Sequence, residues 1–248
     1  MFKKFIILSI ISICFTSLYC NKNQKNQEDQ NLPQIDLYFE TLCPGCQYFI
    51  TNSFQEFLNN PEHSQLAKVN FHPYGNAIEE KKGSKYEFTC QHGETECYGN
   101  TVEVCALNKL PYEEGLNYII CMEKGIQNFN NDMKKALESC IEDAELKQNI
   151  LTCAENEEGN ELQHQVALDT PNHDYVPWIT YNGEHNEKDE NRLMDDMIGF
   201  LCDLEVNKNK DVCINYVNKN QKVNAKEKDY EVCENISPVD YAYLKFLQ

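Results

Sequence analysis

At 248 residues with a formal net charge of −18, the chain can bury a full core and repels nucleic acid and anionic membranes. Its thirteen cysteines are too many for a cytosolic enzyme and ordinary for an exported protein.

Residues 1–20 read as a signal peptide. Lys3 and Lys4 give a basic start, Phe5 to Cys14 form an apolar stretch broken only by Ser9 and Ser12, and cleavage falls near Ser17 to Cys20. The stretch is too short to span a membrane comfortably and no other segment approaches that length, so the mature form is expected to be soluble, with no membrane partner. Removing the two lysines takes the charge to −20. Cys14 and Cys20 leave with the leader, and eleven cysteines remain. Nine stand besides Cys43 and Cys46, an odd number, so one is free or intermolecular unless cleavage before Cys20 makes the set ten. Spacing leaves their connectivity open.

Residues 21–33, rich in Asn, Gln and Lys as far as Asn31, are expected to be a disordered lead-in. Ile35–Glu40 alternates as a strand, and Cys43-Pro44-Gly45-Cys46 follows it. A helix is predicted from about Pro44 to Asn59, with Pro44 suited to its first position and Phe49, Ile50, Phe54, Phe57 and Leu58 on its apolar face. Ala67 to Tyr74 alternates again, and the strand–helix–strand order reads as a βαβ unit. Gly75 to Asn108 lacks periodicity and reads as a disulfide-tied loop region. From Tyr112 to about Ala167 the pattern is helical, with Cys121, Cys140 and Cys153 placed to staple helices to one another or to the Cys90–Cys105 loop. Pro177 then leads a short strand, Asn182-Gly183 marks a tight hairpin turn, and Asp189 to Cys202 is amphipathic. Residues 205–248 are a polar tail in which Cys213 and Cys233 are possible tethers.

Two thiols three residues apart at a helix start can open and close a disulfide with little strain, because neighbours at that spacing lie roughly 5–6 Å apart. Redox exchange at Cys43 and Cys46 is therefore the leading chemistry. Cys43, at the helix N-terminus, is expected to be the acidified and more exposed sulfur that attacks a substrate disulfide. Cys46, one turn on and more buried, then attacks Cys43 and releases the reduced substrate. The order of elements is that of a thioredoxin-like α/β fold, over residues 34–204 with a helical insertion about 109–168. In such a fold Pro177 would be cis and face the Cys pair, leaving the Val176 backbone free to pair with an extended substrate.

The sequence resembles the gamma-interferon-inducible lysosomal thiol reductase family, from about Ile35 to Cys213. Cys90-Gln91-His92-Gly93-Glu94-Thr95-Glu96-Cys97-Tyr98-Gly99-Asn100 matches the family signature at every fixed position. Pro73-Tyr74-Gly75-Asn76-Ala77, Cys121-Met122-Glu123, His173 to Trp178 with Asn182-Gly183, and the closing Cys202 and Cys213 support it. The resemblance implies reduction of protein disulfides in an acidic endosomal or lysosomal compartment, with Cys43 and Cys46 as the redox pair and no bound organic cofactor. Partners would be disulfide-containing proteins and a small-thiol or protein reductant.

Competing readings are a secretory-pathway disulfide oxidase or isomerase, and a non-catalytic disulfide-rich secreted binding protein. A zinc site could recruit Cys43 and Cys46 with Cys90, His92 or Cys97. His92 could serve as a general base, though a structural hydrogen-bonding role in a tied loop is preferred, and a local Cys90–Cys97 disulfide would make the signature scaffold. His63, His164 and His185 read as polar-face residues and Glu155–Glu161 as a solvated turn. The one sequon, Asn235-Ile236-Ser237, is followed by the disfavouring Pro238, and the C-terminus carries no ER-retention signal, which leaves lysosome and secretion both open.

Overall fold

The computed structural model describes residues 32–220 and 233–234; the leader, most of the lead-in and the Asn235 sequon lie outside them. Strand β1 (Gln34–Phe39) is the centre of a four-stranded sheet. Its Ile35, Leu37 and Phe39 have no exposed surface. β2 (Lys68–Pro73) pairs parallel on one side, Ile35 opposite Val69 and Leu37 opposite Phe71. β6 (Trp178–Tyr181) pairs antiparallel on the other and β7 (Glu184–His185) completes the sheet. The turn between the last two is Asn182-Gly183, both at positive φ, as the Asn-Gly pair predicts.

The predicted first helix is one continuous run with three geometries: α1 (Pro44–Phe49), a π-helical stretch Ile50–Phe54, and α2 (Gln55–Leu58). Phe49, Ile50, Phe54 and Phe57 enter the core, as their spacing requires. In the π stretch the Ser53 hydroxyl donates to the Leu193 carbonyl at 2.7 Å and accepts from the Met197 N–H at 3.1 Å. Those groups belong to α8 (Glu187–Asp203), which kinks at Asp196. Ser53 thus supplies hydrogen bonds that the kink removes from the helix ladder.

The reading of Gly75–Asn108 as a loop region is corrected. It contains a hairpin, β3 (Ile78–Lys82) with β4 (Lys85–Thr89), and then the sixteen-residue α3 (Glu94–Lys109). The hairpin is largely solvated on both faces, so nothing demands apolar alternation. α3 buries Glu96, Asn100 and Glu103 beside Val102 and Ala106, so its inward face carries no apolar stripe. The helical layer continues with α4 (Tyr112–Asn128), α5 (Met133–Cys140), α6 (Ala144–Ala154) and α7 (Glu157–Asp169). The presumed turn Glu155–Glu161 thus holds the start of α7. Its Gly159 packs so tightly that a Cβ would lie 2.5 Å from the Cys153 carbonyl oxygen.

Cys121–Cys140 joins α4 to α5, and Cys105–Cys153 joins α3 to α6. Cys90–Cys97 closes the start of α3. Cys202–Cys213 ties α8 to α9 (Asp211–Asn220), a helix inside the segment read as polar tail. Three histidines depart from the polar-face expectation. His63 is buried with Nδ1 2.9 Å from the Phe57 carbonyl oxygen, His164 pairs with Glu79 and stacks on Tyr86, and His185 pairs with Glu190 and stacks on Trp178. Among the described residues no helix is long and apolar enough to cross a membrane.

Candidate active site

The site forms where β1 ends and α1 begins. Cys43 is the N-cap of α1 with extended backbone, and Pro44 holds the first helical position, where a missing N–H costs nothing. The Cys43 Sγ lies 3.5 Å from the Val176 carbonyl oxygen. Val176 ends β5 (Tyr175–Val176), the Val176–Pro177 bond is cis, and Pro177 is buried. The three residues singled out from sequence, Cys43, Cys46 and Pro177, therefore come together in one place. Cys43 and Cys46 are both free thiols. One expectation fails: Cys43 is not the exposed sulfur, since neither cysteine has exposed surface.

The two thiols are tuned in opposite directions. Burial pushes the Cys43 thiol up, but hydrogen bonds from the Cys233 and Cys46 thiols and from the backbone N–H groups of Cys46 and Gly45 outweigh it. They hold Cys43 well below the ordinary thiol value. Cys46 is pushed well above that value by burial, by its hydrogen bond to Cys43 and by the negative charge Cys43 carries. Glu40, fully buried behind the pair, is pushed up by burial, by Glu96 and by Cys43, against a hydrogen bond from the Asn76 N–H at 2.9 Å.

The signature around Cys90 is the platform under this loop. Asn100 Oδ1 accepts from the Thr41 N–H at 3.0 Å, and the Thr41 carbonyl accepts from Gln47 Nε2 at 2.8 Å, which fixes the turn entering Cys43. A Cβ on Gly99 would sit 2.6 Å from Thr41 Oγ1, so glycine lets the helix approach. Glu96 reaches back to the start of α3. Its Oε1 accepts from the His92 N–H at 2.9 Å and its Oε2 lies 2.5 Å from His92 Nδ1. His92 is thus held in the tied loop. The zinc alternative loses two donors because Cys90 and Cys97 are bonded to each other.

Asn76 gathers three separate motifs. Its Nδ2 donates to Gln91 Oε1 at 2.8 Å and to the Cys233 carbonyl at 3.0 Å, and His173 Nε2 lies 2.9 Å from its Oδ1. The preceding Gly75 has φ +56° and stands so close to Glu40 that a Cβ would lie 2.3 Å from its Cγ. Sequence reasoning missed Glu40, Asn76, Asn100 and Cys233 as parts of one site. Pro73–Ala77 and the Cys90 signature marked two of them as motif members without saying what they touch.

A family model described as gamma interferon inducible lysosomal thiol reductase matches residues 34–144. The chain is 36% identical over 178 residues to gamma-interferon-inducible lysosomal thiol reductase of Carassius auratus, covering 68% of this chain and 67% of the relative. It is 36% identical over 199 residues to the Mus musculus protein of that name, covering 77% and 75%. A gamma-interferon-responsive lysosomal thiol protein of Arabidopsis thaliana is 31% identical over 174 residues, covering 68% and 69%.

Proposed function

The chain belongs to the gamma-interferon-inducible lysosomal thiol reductase family, and from that premise we propose that it reduces protein disulfide bonds through Cys43 and Cys46. The observation that carries the proposal is the opposite tuning of two thiols one helical turn apart. The Cys43 thiolate attacks one sulfur of a substrate disulfide, a mixed disulfide forms, and the other substrate sulfur leaves as a thiolate and takes up a proton. That step discharges Cys43 and removes one cause of the high Cys46 value. Cys46 then gives up its proton, attacks the Cys43 sulfur and expels the second substrate thiol. Two electrons and two protons have passed to the substrate, and a Cys43–Cys46 disulfide remains for a small-thiol or protein reductant.

A lysosomal setting agrees with the names of the relatives. In an acidic compartment a thiol with the reference value of about 8.5 is almost wholly protonated, so the donors around Cys43 are what the chemistry needs. The thioredoxin-like reading of the fold is supported by the sheet order β2-β1-β6-β7, by the Cys pair at the β1–α1 junction and by the Pro177 segment beside it. We propose a leader over 1–20, a lead-in over 21–33 and a domain from 34 with its helical insertion about 109–168; residues 205–248 contribute α9 and the Cys233–Glu234 strand to that domain.

Iodoacetamide labelling at about pH 5 after mild reduction tests the reading, with insulin disulfides as substrate. Cys43 should label ahead of every other cysteine, and Cys43→Ser should abolish insulin reduction. Uniform slow labelling, or a Cys43→Ser protein that still reduces insulin, sinks it.

A further inference from the structure

Cys233 is the cysteine that the four disulfides leave over, and the fold carries it to the reactive sulfur. Strand β8 (Cys233–Glu234) pairs antiparallel with β5, and Cys233 stands opposite Val176, the residue whose carbonyl oxygen lies beside the Cys43 Sγ. Its carbonyl accepts from Asn76 Nδ2 at 3.0 Å. Its half-buried side chain packs on the core, and its thiol is among the causes that hold the Cys43 thiol low. A strand ladder and a side-chain clamp therefore fix this residue opposite Val176, beside Cys43. An extended backbone added to β5 with its sulfur against Cys43 is what a substrate cystine must itself supply.

We propose that Cys233 is a third redox residue, and that its strand is a built-in occupant of the substrate edge whose sulfur exchanges with the Cys43–Cys46 disulfide. The inference rests on the thiol-reductase reading above. In the oxidised protein the Cys233 thiolate attacks the Cys43 sulfur. The Cys43–Cys46 bond breaks, a Cys43–Cys233 bond forms, and Cys46 leaves as a thiolate that takes up the proton Cys233 lost. One disulfide and one thiol stand on each side, so no oxidant is needed beyond the substrate that oxidised the pair. In the reduced protein the same residue donates its S–H to Cys43. A protein substrate must displace β8 from β5 before it can reach Cys43, which has no exposed surface with β8 in place.

The full chain carrying Cys46→Ser is treated with oxidised glutathione, quenched in acid, alkylated and mapped by mass spectrometry. The expected product is a Cys43–Cys233 disulfide with glutathione released, whereas the Cys46→Ser, Cys233→Ser double variant retains glutathione on Cys43. Glutathione retained on Cys43 with Cys233 free in the single variant overturns the proposal and leaves the reductase reading standing. A Cys43 that takes up no glutathione in either variant overturns both.

Discussion

Among the described residues eight cysteines form four bridges and three are free thiols, and their surroundings separate them. The bridged partners hold their Cα atoms 5.1–5.9 Å apart on neighbouring elements. Cys105 and Cys153 lie deep in the core between helices. Around Cys43, by contrast, the neighbours are backbone N–H groups, two other thiols and a buried carboxyl. A closed bridge restricts the unfolded chain and adds little to the native state's electrostatics. A free thiol at a turn of amide donors does the reverse: it stores negative charge and contributes chemistry rather than stability.

The largest effect that tests this contrast is on stability. Replacing Cys105 and Cys153 by serine opens a loop of sequence separation 48 and should cost about 4 kcal/mol on chain-entropy grounds. Replacing Cys90 and Cys97, separated by 7, should cost about 2 kcal/mol. Denaturant titration that reversed this order would show that the short bridge carries more than loop closure. Insulin reduction should suffer more from the Cys90, Cys97 pair of changes, because that bridge closes the platform under Thr41.

Next in size is the pH dependence of stability. Glu103 and Glu123 are fully buried and pushed well above the usual carboxylate range, both chiefly by burial and Glu123 also by Glu103; Glu40 behaves likewise for the reasons given. Raised folded-state values mean that the native protein holds protons the unfolded chain gives up above 4.5. The contribution of these groups is whole below that pH and is lost as pH climbs. The net charge of −18 pushes the same way by self-repulsion. The melting temperature should therefore be higher at about pH 5 than near neutrality, and Glu103→Gln with Glu123→Gln should flatten the difference. A protein equally stable at both would break this link between burial and an acid setting.

A smaller loss is expected from Asn100→Ala, which removes the acceptor of the Thr41 N–H at a buried position and should cost about 1–3 kcal/mol. If Asn100 positions the loop, the pH profile of Cys43 alkylation should move as well as the melting temperature; a purely structural role would leave that profile in place. The finest test is Cys233→Ala, which takes away one hydrogen-bond donor to Cys43. The alkylation profile of Cys43 should shift toward higher pH and Cys233→Ser should restore part of it. No shift in the alanine variant would count against the thiol–thiol contact.

The sheet and the position of Cys43 and Cys46 at the start of α1 are legible because they obey local rules. Ile35, Leu37 and Phe39 alternate onto the buried centre of β1, Pro44 opens a helix, and Asn182-Gly183 makes the only kind of turn two positive φ values allow. The hairpin Ile78–Thr89 was hidden because both its faces are wet. Helix α3 was hidden because it buries Glu96 and Asn100, bonded to the His92 and Thr41 backbones, where an apolar stripe would normally be. Glu40 and Cys233 take their meaning from partners far off in the chain, and no spacing rule reaches that distance. The burial of Cys43 was missed for the same cause: the residue against its sulfur comes from the far end of the described chain.

The bridges also nest like brackets. Cys90–Cys97 closes before Cys105, Cys121–Cys140 closes inside Cys105–Cys153, and Cys202–Cys213 closes after all of them. No pair among the described residues crosses another, so each can be sealed without threading one loop through a second. A chain oxidised in that sequence is left with Cys43, Cys46 and Cys233 as the remainder, already sorted from the sulfurs that serve as rivets.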